Sequence, residues 1–203
     1  MAYNKFTLEK VIDLFSVQIK AVPNIFNSPA PKVIESEILK LILKRNLPLS
    51  RAIPTEKALS ELLISPILVE LKEIKSTIGV FSGVEFNVDS SKGLNGRCDF
   101  ILTGNDNQFV LNAPILTIVE AKKGLIEEGY GQCVAEMIAA QIFNQKKGIE
   151  RKIIYGVVTS GLHWQFLSLE NKTVCIENRE LSIDNVEEIL GVLLKMMEEE
   201  NGV

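Results

Sequence analysis

The run Ile115-Leu116-Thr117-Ile118-Val119 is apolar at four of its five positions and rich in β-branched residues, and it ends abruptly in Glu120-Ala121-Lys122. Such a run reads as a strand covered on both faces, which places it at the centre of a sheet. Side chains alternate along a strand, so Glu120 and Lys122 leave from one face and Val119 and Ala121 from the other. A carboxylate and an ammonium at the tip of a buried strand cost desolvation energy, and a divalent cation with a bound phosphate would offset it. The same feature therefore constrains both the fold and the chemistry.

The flanking sequence supplies partners for this strand. Val84-Glu85-Phe86-Asn87-Val88-Asp89 alternates apolar with polar, Ser90 to Gly96 is dense in turn formers, and Arg97 to Thr103 continues as a second strand until Gly104-Asn105-Asp106-Asn107 breaks it. Three adjacent strands are predicted. If the last two are neighbours in a meander, Asp99 comes within reach of Glu120. Two carboxylates and an amine gathered in this way suit a Mg²⁺ site that hydrolyses a phosphodiester. The plainer alternative is that Glu120 and Lys122 are surface partners where the strand leaves the core, with Asp99 an ordinary strand-end acid.

Two helices extend the candidate set. Glu127 to Gln145 has helical length and is apolar almost all round; Gln132 and Glu136 lie one turn apart on one face, beside the small Ala135 and Ala139, which let the helix approach the strand carrying Glu120. The alternative for both is a solvated helix edge. Thr55 to Ile64 reads as a helix with Thr55 as N-cap. Its apolar stripe of Ala58, Leu59, Leu62, Leu63 and Ile67 contains Glu56, whereas Glu61 points the opposite way. Glu56 is thus expected to face inward as a further metal or water ligand. Otherwise it stabilises the first helical turn through the helix dipole, worth only about 0.3–1 kcal/mol.

The order Glu56, Asp99, Glu120-x-Lys122 and Gln132 resembles the PD-(D/E)xK nuclease superfamily, whose fold is restriction-endonuclease-like. Roughly residues 55 to 170 carry the resemblance. Thr55-Glu56 through Leu63-Ile64-Ser65-Pro66-Ile67-Leu68 is similar to the opening helix of nuclease domains in type I restriction subunits and their small relatives. Thr159-Ser160-Gly161-Leu162-His163-Trp164-Gln165-Phe166, after the apolar strand Ile153 to Val158, resembles their Thr-Asn-Gly-x-x-Trp strand pair, with Ser160 in place of the usual Asn. Cys98 stands where the superfamily often has a proline before the first acid. The resemblance implies an α/β fold, a central mixed β-sheet flanked by helices, with the acids converging at one edge. It also implies a Mg²⁺-dependent nuclease, with Mn²⁺ as a substitute and DNA as the expected nucleic acid. Asp99, Glu120 and Glu56 would hold the metal, Lys122 would orient or help deprotonate the attacking water and stabilise phosphorane charge, its pKa lowered near the metal, and Gln132 would position the phosphate or Lys122. A homodimer or a larger restriction or repair assembly is an expected partner context. The alternative from another class is a non-catalytic nucleic-acid-binding or assembly module that retains the fold.

Composition agrees with one domain: 203 residues with 46% apolar content can bury a substantial core. The resemblance implies that residues 51–203 form the nuclease-like domain, and a helical extension over residues 1–50 is expected to precede it, with helices at Thr7 to Lys20 and Ile34 to Arg45. No basic leader with an apolar core and no apolar run near 18 residues is visible, so a cytoplasmic protein free of the membrane is expected. Cys98, Cys133 and Cys175 lack CxxC spacing and read as buried free thiols, and His163 as structural beside Trp164. No GxGxxG or Walker pattern appears. The net charge of −4 argues against indiscriminate nucleic-acid affinity, although Lys122-Lys123, Lys146-Lys147 and Arg151-Lys152 offer a local basic stripe. A C-terminal helix, Asn185 to Glu200, ends in Glu198-Glu199-Glu200 and is expected to cover the sheet.

Overall fold

The computed structural model describes residues 2–198. Its strands are β1 (Gln18–Val22), β2 (Gly79–Glu85), β3 (Arg97–Thr103), β4 (Ile115–Ala121), β5 (Ile153–Thr159), β6 (His163–Glu170), β7 (Thr173–Glu177) and β8 (Leu181–Ser182). Its helices are α1 (Leu8–Phe15), α2 (Glu37–Ala52), α3 (Glu56–Leu59), α4 (Ser65–Ile74), α5 (Tyr130–Lys146) and α6 (Val186–Glu198). The chain is an α/β protein built on an open, mixed sheet of order β1-β7-β6-β5-β4-β3-β2, with β8 paired to β6. β4 is an interior strand, buried at every position, antiparallel to β3 and parallel to β5. That is the setting its apolar run predicts.

Two helical layers cover the sheet. On one face α2, α4 and α6 bury Leu43, Leu68 and Leu193 against Phe100, Val119, Tyr155 and Trp164. On the other, α1 and α5 bury Val11, Val134 and Met137 against Ile101, Ile118 and Val158. Two local devices set α5 over β4. Gly156 has no side chain where a Cβ would lie 2.4 Å from the Met137 sulfur, which permits close approach. Asn144 accepts from the Ile115 backbone N–H and donates to its carbonyl, both at 2.8 Å, tying the end of the helix to the start of the strand.

The segment from Thr55 to Ile74 is one helical run with a π-turn, Ser60–Ile64, between α3 and α4. Pro66 explains the irregularity, because it has no N–H for the Leu62 carbonyl and its ring crowds that oxygen. The freed carbonyl accepts instead from the Asn46 side chain of α2 at 2.8 Å. Thr55 caps the run as expected, its hydroxyl accepting from the Ala58 N–H at 3.1 Å.

Several expected boundaries are corrected. The helix expected over Thr7 to Lys20 stops at Phe15, where Ser16 adopts φ 55°, and Gln18–Val22 instead pairs parallel with β7. The first 50 residues are therefore not purely helical; they contribute an edge strand and part of both covering layers. Edge pairing satisfies backbone groups that the amphipathic pattern alone does not account for. The helix expected from Ile34 to Arg45 runs from Glu37 to Ala52, with Ser36 as N-cap and Glu70 holding both the Ser36 N–H and hydroxyl. The strand expected at Val84–Asp89 ends at Glu85, and Asp89 caps a 3₁₀ turn over Ser90–Lys92. The expected helix from Glu127 begins as a 3₁₀ turn, Ile126–Gly129, before α5. Of the C-terminal acidic triplet only Glu198 is described; Glu199 and Glu200 lie outside the described residues. No helix among the described residues is long and apolar enough to cross a membrane.

Candidate active site

The register of β3 on β4 sets Phe100 opposite Val119, which brings Asp99 beside the Glu120 end of β4. Asp99 Oδ2 accepts from the Ala121 backbone N–H at 2.8 Å, so the acid is clamped to the residue between Glu120 and Lys122. Lys122, one residue beyond β4, is held by its own N–H on the Thr159 carbonyl at 2.8 Å. Its Nζ lies 2.5 Å from Glu120 Oε1 and 3.2 Å from Gln132 Oε1. Gln132, near the N-terminus of α5, donates through Nε2 to Glu120 Oε2 at 2.9 Å and to Glu136 Oε1 at 3.1 Å. Asp99, Glu120, Lys122, Gln132 and Glu136 thus form one connected cluster, and the alternation that aims Glu120 and Lys122 at the same space holds.

Glu56 is reached differently from the expectation. It is exposed rather than on the buried stripe, yet its Oε1 accepts from the Lys123 backbone N–H at 3.3 Å, and its charge acts on Asp99, Glu120 and Lys122. The opening position of α3 lies on the solvent side because the π-turn shifts the phase between Glu56 and the stripe of Leu63 and Ile67.

Glu136 is more deeply involved than its sequence setting suggests. It is completely buried, and its Oε2 has no hydrogen-bond partner. Its signal in the sequence is only the one-turn spacing to Gln132. Gly129 was not legible as a site residue at all. A Cβ there would lie 2.5 Å from Val158 Cγ1 and 2.9 Å from Lys122 Cγ, so glycine is what lets the turn before α5 pass over the lysine.

The electrostatics follow from four carboxyl groups facing one ammonium. Burial, then the Asp99 charge, pushes Glu120 well above the usual carboxylate range, against the pull of Lys122. Burial and the Glu120 charge push Glu136 up in the same direction. Asp99 is also raised by burial, opposed by the Ala121 N–H and Lys122. For Lys122, burial favours the neutral amine, but Glu120, Glu56 and Asp99 outweigh it and raise the pKa. With these carboxyl groups around it, the ammonium is the cluster's own countercharge. All of these shifts favour retained protons: burial comes first for the three acids, and the neighbouring acids drive the rise of Lys122.

Other sequence candidates lie elsewhere. His163 is exposed, with Nδ1 3.7 Å from Glu180. Its motif builds the β5–β6 turn: Thr159 Oγ1 accepts from the Gly161 N–H at 2.8 Å, and Trp164 Nε1 donates to the Gly161 carbonyl at 3.1 Å. The expected basic stripe is not continuous with the site, because Lys146 sits 14 residues after Gln132 along α5, about 21 Å at 1.5 Å per residue. There Lys146 bonds the Val88 carbonyl, and Lys152 pairs with Glu170. Cys98 and Cys133 are buried and Cys175 partly so, all three as free thiols. Among the described residues, no three His, Cys, Asp or Glu side chains stand grouped as a ready-made metal cage. No protein-family model, no curated protein and no solved structure matches the chain.

Proposed function

We propose that the chain is a Mg²⁺-dependent nuclease of restriction-endonuclease-like, PD-(D/E)xK type, hydrolysing phosphodiester bonds with DNA as the first substrate to test. The observation that carries this reading is Lys122 Nζ held between Glu120 Oε1 and Gln132 Oε1, with Asp99 clamped to the intervening residue. A carboxylate–lysine pair serving only as a strand-edge salt bridge has no need of a buried amide and a second buried acid behind it.

The residues fit a divalent cation by their chemistry. The donors are carboxylate oxygens, as a hard cation requires, and the cluster's surplus of acids over Lys122 is the charge that a cation would neutralise. Asp99 and Glu120 would hold it, with Glu56 completing the metal or water shell from the exposed side. When bound, the cation supplies Lewis-acid charge for the phosphoryl oxygens and acidifies a water molecule. Lys122, charged, donates to the attacking water and to the oxygens on which charge develops. Gln132 fixes the lysine's direction by accepting from it while donating to Glu120 and Glu136.

A second reading, a nucleic-acid-binding or assembly module without catalysis, is favoured by the absence of a preassembled three-ligand group among the described residues. Thermal melting separates the two. On the nuclease reading, Mg²⁺ or Mn²⁺ raises the melting temperature, by the equivalent of about 2.7 kcal/mol at a hundredfold excess over its dissociation constant, and Asp99→Ala abolishes the rise. If neither ion shifts the melt and DNA does so without metal, the binding module replaces the nuclease.

A further inference from the structure

Away from the acidic cluster, α2 and α4 enclose a groove of about 840 Å³ whose apolar lining includes Ile34, Ile38, Ile42, Pro66, Val69 and Ile74. Ile34 is 76% exposed, Ile38 71% and Val69 55%. Single exposed apolar residues are ordinary, but a contiguous set along two neighbouring helices marks a binding surface. The walls also dictate the shape of what binds. Both are helices that spend their backbone groups on their own turns, so the groove offers no strand edge to which an extended segment could add. What it offers is side-chain ridges, with Ile34, Ile38 and Ile42 recurring every four residues on one wall, and such ridges accept a third helix. The facing wall, Ser65–Ile74, is about 14 Å long at 1.5 Å per residue, a match for two to three turns of a partner helix.

The charge of the lining is of one sign. Glu61, Glu70 and Glu73 line the groove, and no lysine or arginine does. The bases nearest in sequence are turned away: Lys40, Lys44 and Arg45 of α2 lie outside the lining, and Lys72 of α4 donates to the Ser76 and Ile78 carbonyls. Glu70 accepts from the Ser36 N–H and hydroxyl, with no cation paired to it among the described residues. Glu61 shares its charge with Lys57, but both side chains are exposed and the pair is screened by water. Glu73 is exposed and has no ion pair among the described residues.

We propose that this groove docks a basic amphipathic helix of a partner protein. Apolar residues at i, i+4 and i+7 of that helix seat between α2 and α4, and its flanking Lys or Arg side chains meet Glu61, Glu70 and Glu73. The same three acids repel a phosphate backbone and an anionic lipid surface, so the groove selects a cationic protein segment over either. The docking surface does not depend on the nuclease reading. It does adjoin the site, since Glu61 on the groove wall lies five residues after Glu56 in the same helical run.

The test titrates the full chain into a fluorescently labelled synthetic helix about four turns long, with leucine at i, i+4, i+7 and i+11 and lysine on both flanks, and reads anisotropy. Saturable binding in the micromolar range is expected, and the same peptide with glutamate in place of lysine should bind at least tenfold more weakly. Because the whole chain carries a net charge of −4, attraction to lysine alone does not locate the contact. Ile38→Ser and Val69→Ser, both at exposed positions, should each weaken the lysine peptide about tenfold or more without moving the melting curve, and Glu73→Lys should narrow the gap between the two peptides. No saturable binding of the lysine peptide overturns the proposal, as does equal binding of the two peptides or binding that survives both serine variants. Two further results would assign the groove to another occupant and overturn it as well: retention on phosphatidylserine vesicles that Val69→Ser abolishes, or a doubled mass in light scattering that Ile38→Ser halves.

Discussion

At the scale of single residues, Lys122 and the acids around it make opposing demands that a cation would reconcile. Without one, Glu120 and Glu136 hold protons above the ordinary glutamate range because they are buried beside other acids. In the unfolded chain both ionise at ordinary values, so above that range the unfolded state binds fewer protons than the native one. Stability should therefore fall as pH rises from the ordinary glutamate range upward. Melting temperatures of the metal-free protein across that interval should decline, and Glu120→Gln should flatten the decline, because the amide has no proton to lose. A melting temperature that rises with pH and is indifferent to Glu120→Gln would contradict this assignment of charge. Glu120, Lys122 and Asp99 were legible because strand alternation and a meander need only local sequence. The buried role of Glu136 and the need for glycine at position 129 were not, since each depends on how closely α5 crosses the end of β4.

At the scale of elements, two close contacts hold the helices in place. Asn46 takes the carbonyl that Pro66 releases at the π-turn. Asn46→Ala leaves that partly buried oxygen without a partner, at a cost of about 1–3 kcal/mol. For a chain of this size that corresponds to a fall in melting temperature of roughly 2–4 °C per kcal/mol, readable by calorimetry. Gly129→Ala forces a methyl against Val158 and Lys122. On the nuclease reading it should reduce cleavage by more than tenfold, and a variant that folds and cleaves like the unaltered protein would show that the approach of α5 does not set the lysine. The strands β3, β4 and β5 were readable from composition to within a residue or so because buried strands carry long β-branched runs. The segment after Phe15 was misread as helix because its pattern suits both periods, and the unsatisfied edge of β7, invisible locally, decides in favour of a strand. Glu56 was misplaced for a related reason: a single 3.6-residue phase does not survive a π-turn.

At the scale of the whole molecule, the N-terminal 22 residues are part of the fold rather than an appendage, since β1 completes one sheet edge and α1 covers α5. Removing them should abolish cooperative unfolding in calorimetry, whereas a separate extension could be lost without effect. Both sheet faces are then covered, and the acidic cluster sits where the ends of β3 and β4 meet the start of α5, open toward Glu56. The measurement that tests the central claim most directly is cleavage of supercoiled plasmid and single-stranded DNA in Mg²⁺ or Mn²⁺, with Glu120→Ala and Lys122→Ala prepared in parallel. The account predicts metal-dependent cleavage reduced by about 10²-fold or more in each variant, the loss typical of removing one charge-stabilising group. Equal activity in all three preparations, or none in the unaltered protein with either metal, would contradict it.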